Sequence, residues 1–185
     1  MIYPIYTYGK AVLRKKAQEI DENFENLHIL IDDMYTTMQS SYGVGLAGPQ
    51  IGKSIRMFVI DASDMAEEYP AAENFKKVFI NPVIHERTGD EWAFSEGCLS
   101  LPGLSEDVMR PSHISITYFD KDFNEYTEEY DGILARIIQH EYDHLEGILF
   151  IDHLSPLRKR LLKKRLTAIE KGLVDVSYKI KSAKK

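Results

Sequence analysis

The segment from Gly132 to Glu146 constrains this chain more than any other. Written on a helix, Ile133, Ile137, His140 and His144 share one stripe, and Leu134, Ile138, Glu141 and Leu145 share the adjoining one. Two imidazoles and a carboxylate therefore continue the face that should turn into the core. Groups of that kind need partners there, because an unpaired buried charge is costly. Their order is His140-Glu141-x-x-His144. On a helix, histidines at i and i+4 project side by side and can grip one ion, with the intervening glutamate beside an attacking water. The simpler alternative is a helix whose polar residues are hydrogen-bonded inside or partly exposed.

A catalytic ion of this type needs three protein ligands and a position for water. In the extended HExxHxxGxxH pattern Gly147 is in place, but Phe150 stands where the third histidine should be, and His153 comes three residues too late. Glu170 is a distant carboxylate, and on the basic C-terminal helix it reads as a surface charge. Cys98 is the better candidate: it is the only cysteine, in the Gly/Pro-bounded segment EGCLSLPG. Taken alone, a lone cysteine reads more simply as a small buried apolar side chain.

Composition narrows the setting. The chain has 185 residues, of which 44% are hydrophobic and 28% charged, which suits one soluble domain over 1–185. A net charge of -6 argues against a dedicated nucleic-acid binder, DNA included, though not against a local basic patch. One cysteine excludes an intrachain disulfide and suits a reducing compartment. The N-terminus lacks a basic region followed by an apolar run, and no apolar run approaches a membrane span, so the expected location is the cytoplasm.

Along the chain, Glu25 to Gln39 has helical spacing, with Asn23 or Asn26 as cap. A glycine-rich loop, GVGLAGPQIG, leads into a mostly buried strand, IRMFVI. Residues 61–76 read as an acidic surface loop. KVFINPVI is a second strand, which Pro82 pushes to a sheet edge or a bend. EGCLSLPG reads as a strand end running into a turn, and His113 to Asp120 pairs with Asn124 to Tyr130 as an acidic, solvated hairpin. Asp131 or a neighbour caps the HExxH helix, which runs to about Glu146, and Gly147 stops it. Pro156 opens a last helix, to about Lys171, with Leu157, Leu161, Leu162 and Leu166 as its packing face. Scattered helices among strands predict an α+β fold. That is antiparallel and mixed sheets around a central HExxH helix, flanked by N-terminal and C-terminal helices, with 156–185 as a basic helix and tail.

Three segments together resemble one family. GVGLAGPQIG is similar to a GxGLAAxQ motif, EGCLS to a second motif, and QHEYDHLEG to QHExDHLxG, in the order found in peptide deformylases. YGKAVLRKKA, FINP and FIDHLSPLRK add to a resemblance that runs over nearly the whole chain. Gly48 stands where the family has a second alanine, a small-for-small change expected to matter little. Lys10-Ala11 replaces a common Asp-Pro, and the 61–76 loop is longer than in the shortest members.

The resemblance implies a metal-dependent hydrolase that removes formyl from the N-terminal formyl-methionine of new polypeptides, releasing formate. It implies Cys98, His140 and His144 as ligands to one divalent ion: Fe2+ in the cell, with Zn2+, Ni2+ or Co2+ as replacements. Glu141 becomes the general base and acid, and Gln50 (side-chain amide) and Leu99 (backbone N–H) stabilise the oxyanion. Gly43, Val44, Gly45, Phe94, Gly97, Ile133 and Ile137 hold the substrate, with Gly45 at its backbone and the apolar residues at the methionine side chain. A pair between Glu96 and Arg110 would fix the Cys98 segment. The basic run Arg158–Arg165 reads as a solvated surface helix or, as the resemblance suggests, a contact with ribosomal RNA. Two other readings stay open: an HExxH peptidase with a different third ligand, and a binding module around a closed four-ligand metal site.

Overall fold

Strand β3 (Met57–Asp61) is apolar on both faces, and the architecture follows from where those faces go. In a computed structural model that describes residues 1–183, β3 lies inside a five-stranded antiparallel sheet. Its order is β2 (Gly45–Ala47), β3, β4 (Lys76–Gly97), β5 (Ser105–Phe119) and β6 (Glu125–Asp131). Phe58 and Ile60 pack with α2 (Gly132–Leu145), while Met57 and Val59 pack with α1 (Leu27–Ser40). The period of two sends alternate side chains to opposite faces, so this part of the sheet sits between two helices. The expected α+β fold is thus an antiparallel sheet and, apart from it, one parallel pair: β1 (Ile5–Tyr6) with β7 (Ile180–Lys181). Lys184 and Lys185, the end of the expected 156–185 helix and tail, lie outside the described residues.

The two strand segments read around FINP and EGC are one strand. β4 is bent by register shifts between Ile80 and Val83, between Ile84 and Glu86, and between Thr88 and Glu91. Pro82 falls in the first of these, just past the end of the β3 pairing at Ile80, so β4 is bent there and has β5 alone beside it. β4 and β5 form one long hairpin whose tip is residues 98–104, and that tip carries Cys98.

α1 begins at Leu27 after Asn26, whose left-handed backbone (φ 58°) makes no side-chain cap. α2 begins after Asp131 and stops before Gly147, which has φ +74° and no room for a Cβ beside the Arg14 backbone. The 61–76 loop is less solvated than expected: Ala62, Ala72 and Phe75 are buried in the core under α2.

A last helix, α3 (Pro156–Glu170), docks on the hairpin tip through Leu162, Leu166 and Ile169, which meet Leu101, Leu104 and Phe150. This corrects the expected packing face. Leu157 and Leu161 are 69% and 63% exposed, because the contact stripe runs through 162, 166 and 169 and so misses them. Among the described residues no helix is long and apolar enough to cross a membrane.

Candidate active site

The first turn of α2 faces the sheet with Ile133 and Leu134, and its later turns bring His140, Glu141 and His144 up to the hairpin tip. Glu141 and His144 are buried. Cys98 Sγ and one nitrogen from each of His140 and His144 all lie within 4.8 Å of one another. Cys98 Sγ is 3.3 Å from His144 Nε2. His140 Nδ1 is 2.9 Å from Glu96 Oε2, which leaves its Nε2 for the cluster.

Electrostatics suit an ion here. Burial alone would raise the Cys98 thiol, but His144 and His140 beside it outweigh burial and bring it down to about 5. A thiolate is the form that binds metal. Burial pushes the Glu141 carboxyl up to about 7, and its Oε2 is buried with no hydrogen-bond partner. A soft thiolate with two imidazoles is a donor set for a divalent transition ion, and a bound water beside it would satisfy the glutamate. Phe150, in the place of a third histidine, is a fully buried core residue whose ring stacks 6.2 Å from that of His140.

Behind this cluster lies a mostly buried chain of charges. Arg110 donates from Nε to Glu96 Oε1 at 2.6 Å and from Nη1 to Asp143 Oδ2 at 2.7 Å. Arg136 Nη1 also donates to Glu96 Oε1, at 2.8 Å, and its other bonds reach the carbonyls of Val108 and Trp92. His153 Nε2 meets Asp143 Oδ2 at 2.7 Å. The expected partners Glu96 and Arg110 are therefore in contact. Arg136, Asp143 and His153 were not anticipated. Arg136 had a signal: it continues the i, i+4, i+8 row of His140 and His144. Asp143 and His153 lie in the family-like segments QHEYDHLEG and FIDHLSPLRK, but nothing local showed that Asp143 would meet Arg110 from β5 and His153 would meet Asp143.

A groove of about 430 Å³ opens over this cluster. Gly43, Val44, Gly45, Gln50, Phe94, Glu96, Gly97, Cys98, Leu99, Ile133, Ile137, His140 and Glu141 all line it, while His144 and Arg110 lie beneath. Met65 from the 61–76 loop and Tyr178 from the C-terminal tail also line it, unforeseen. Gln50 Oε1 accepts from the Ala47 N–H at 2.8 Å, which turns its Nε2 towards Cys98 Sγ (3.5 Å) and Ser100 Oγ (3.3 Å).

Two glycines are required for reasons the sequence did not suggest. Gly45 leaves space for Glu141: a Cβ there would stand 2.6 Å from the carboxyl carbon. At Gly48 a Cβ would meet the Ile55 carbonyl oxygen at 2.8 Å, so the family's alanine does not fit this backbone and the two are not interchangeable here. Glu170, weighed as a distant ligand, packs beside Gly9 instead and is half-buried.

The sequence model described as "Polypeptide deformylase" matches residues 2–160. The chain belongs to the polypeptide deformylase family. It is 53% identical over 181 residues to the peptide deformylase of Cytophaga hutchinsonii, covering 98% of this chain and 97% of that one. It is 53% identical over 188 residues to that of Christiangramia forsetii, covering 98% and 96%. The peptide deformylase of Thermus thermophilus superposes with a TM-score of 0.81 at 40% identity, covering 94% of this chain and all of that one. The deformylase reaction removes the N-formyl group from nascent polypeptides by metal-dependent hydrolysis of an amide, and this chain is a hydrolase of that kind. Three side chains able to ligate one ion, beside an open groove, suit a catalytic metal site better than a closed structural one.

Proposed function

We propose that Cys98, His140 and His144 hold one divalent ion and that Glu141 shuttles the proton in formyl hydrolysis. The observation that carries this is the convergence of the three ligand atoms within 4.8 Å, under a groove that Glu141 also lines. When bound, the ion lowers the pKa of an attacking water and polarises the formyl oxygen. Glu141, pushed up to about 7 by burial, accepts the water's proton and returns it to the leaving amine. Gln50 Nε2 and the Leu99 N–H supply donors to the developing oxyanion, each worth about 3 kcal/mol. Val44, Phe94, Ile133 and Ile137 offer apolar surface to a methionine side chain, and Gly43, Gly45 and Gly97 let its backbone approach closely.

The test is formate release from a formyl-Met peptide by the parent and Glu141→Gln. The variant should bind metal and lose about 100-fold or more in kcat. A parent that releases no formate with ferrous iron or nickel supplied would sink this reading.

The ion we assign in the cell is Fe2+, with Zn2+, Ni2+ or Co2+ able to replace it; metal analysis after anaerobic purification tests this. Residues 1–185 act as one catalytic domain on this reading, in the cytoplasm, where a free thiol stays reduced. A contact with ribosomal RNA is supported by Arg160, Lys163 and Lys164, which stay exposed on α3, whereas Arg158 is engaged by Glu106. Ribosome binding should weaken steeply with salt and fail when these three are changed to glutamate.

A further inference from the structure

The family match ends at residue 160, within α3, and beyond α3 the chain turns back. Val174, Val176, Tyr178 and Ile180 are half-buried, whereas Leu173, Asp175, Ser177 and Lys179 are exposed. That alternation is extended chain laid on a surface. β7 then pairs with β1: the Ile5 N–H donates to the Lys179 carbonyl at 2.8 Å and the Thr7 N–H to the Lys181 carbonyl at 3.2 Å.

The consequence is felt at the hairpin tip. Three consecutive carbonyls there each accept one hydrogen bond of 2.9 Å. Cys98 O accepts from the Leu101 N–H, Leu99 O from the Tyr178 hydroxyl, and Ser100 O from the Tyr8 N–H. The first bond is internal to the turn. The other two come from the two ends of the chain, which β1 and β7 tie together. Tyr178 also lines the groove. Burial, with a smaller contribution from Cys98, pushes its hydroxyl up to about 12, so it remains a donor.

We propose that Tyr178 is a positioning residue for the hydrolysis, and that the tail through Ile180 is part of the active site. By holding the Leu99 carbonyl it fixes the Leu99–Ser100 peptide plane, and so limits how far Leu99 can turn about the torsions that join this plane to the neighbouring one, which carries the Leu99 N–H and Cys98. A donor to an oxyanion acts only when aimed within a few tenths of an ångström, and a partly buried carbonyl that loses its donor turns to find another. The inference rests on the reading of Leu99 and Gln50 as oxyanion donors.

Tyr178→Phe tests it, since it removes one oxygen and keeps the ring. In the metal-loaded enzyme, kcat on a formyl-Met peptide should fall about fivefold with KM changed less than about twofold. The amides of Leu99 to Leu101 should exchange faster with solvent, while those of α2 exchange as before. Tyr178→Leu should fall further. An unchanged kcat in Tyr178→Phe overturns the proposal. So does a lower kcat accompanied by faster exchange throughout and a lower thermal midpoint, which marks a merely structural tail. Gln50→Ala, measured alongside, separates the two layers. If it is slow while Tyr178→Phe is not, only the tail's role is lost. If Gln50→Ala keeps full kcat, the oxyanion reading falls and the tail's role with it.

Discussion

The carboxyl of Glu141 stands against the Cα of Gly45, so that a Cβ at Gly45 would lie 2.6 Å from Glu141 Cδ and 2.7 Å from its Cγ. The glycine-rich loop is therefore cut to fit a residue from α2 as well as a substrate. Gly45→Ala should fold, because the group it displaces is the end of a side chain. It should lose about 100-fold in kcat because that end is the proposed proton shuttle. Formate release and metal content, measured on the same sample, check this: the metal should stay while the rate falls.

Gly48→Ala should act on stability instead. Its Cβ would meet the Ile55 carbonyl, which belongs to the backbone and cannot swing away. Overpacking of this kind costs about 1–3 kcal/mol. Urea denaturation of the metal-loaded protein reads it, and an unchanged midpoint would show that the backbone yields easily.

Glu96 links His140, a proposed ligand, to Arg110 and Arg136. Burial alone would raise its carboxyl, but hydrogen bonds from His140 and Arg110 outweigh burial and hold it well below its ordinary 4.5. Asp143 is likewise lowered, by His153 and Arg110 against its burial. A carboxyl whose folded pKa lies below its unfolded one contributes stability above the unfolded value and loses it as pH falls further. Their contribution to the thermal midpoint of metal-free protein should therefore be lost as pH falls below about 4.5, giving a steep acid limb. Glu96→Gln should start lower at neutral pH, show a shallower acid limb, and bind metal about 10–100-fold more weakly. An acid limb as steep as the parent's would remove Glu96 from the account.

Two neighbouring leucines on α3 should part company. Leu162 is buried against the hairpin tip and Leu161 is exposed. Leu162→Ala should cost about 2–4 kcal/mol and Leu161→Ala less than about 0.5. Equal losses would mean that α3 docks on a different face.

What the residues declared on their own was periodic or local. The stripe of α2, the strand alternation of β5 and the glycine stop at Gly147 are each written within one element, and the HExxH order follows from a single helix turn. Cys98 became a convincing third ligand only through the resemblance carried by three motifs together. The contacts that join distant segments were not legible: Arg110 from β5 reaching both Glu96 and Asp143, Phe150 replacing a ligand with a packed ring, Tyr178 returning from the tail to Leu99. Their energies depend on burial and on which chain lies opposite, and neither is encoded in spacing along one strand or helix. Gly45 shows the difference in a single position. The sequence marks it as a place without a side chain, but only the approach of α2 decides that the missing Cβ makes room for Glu141.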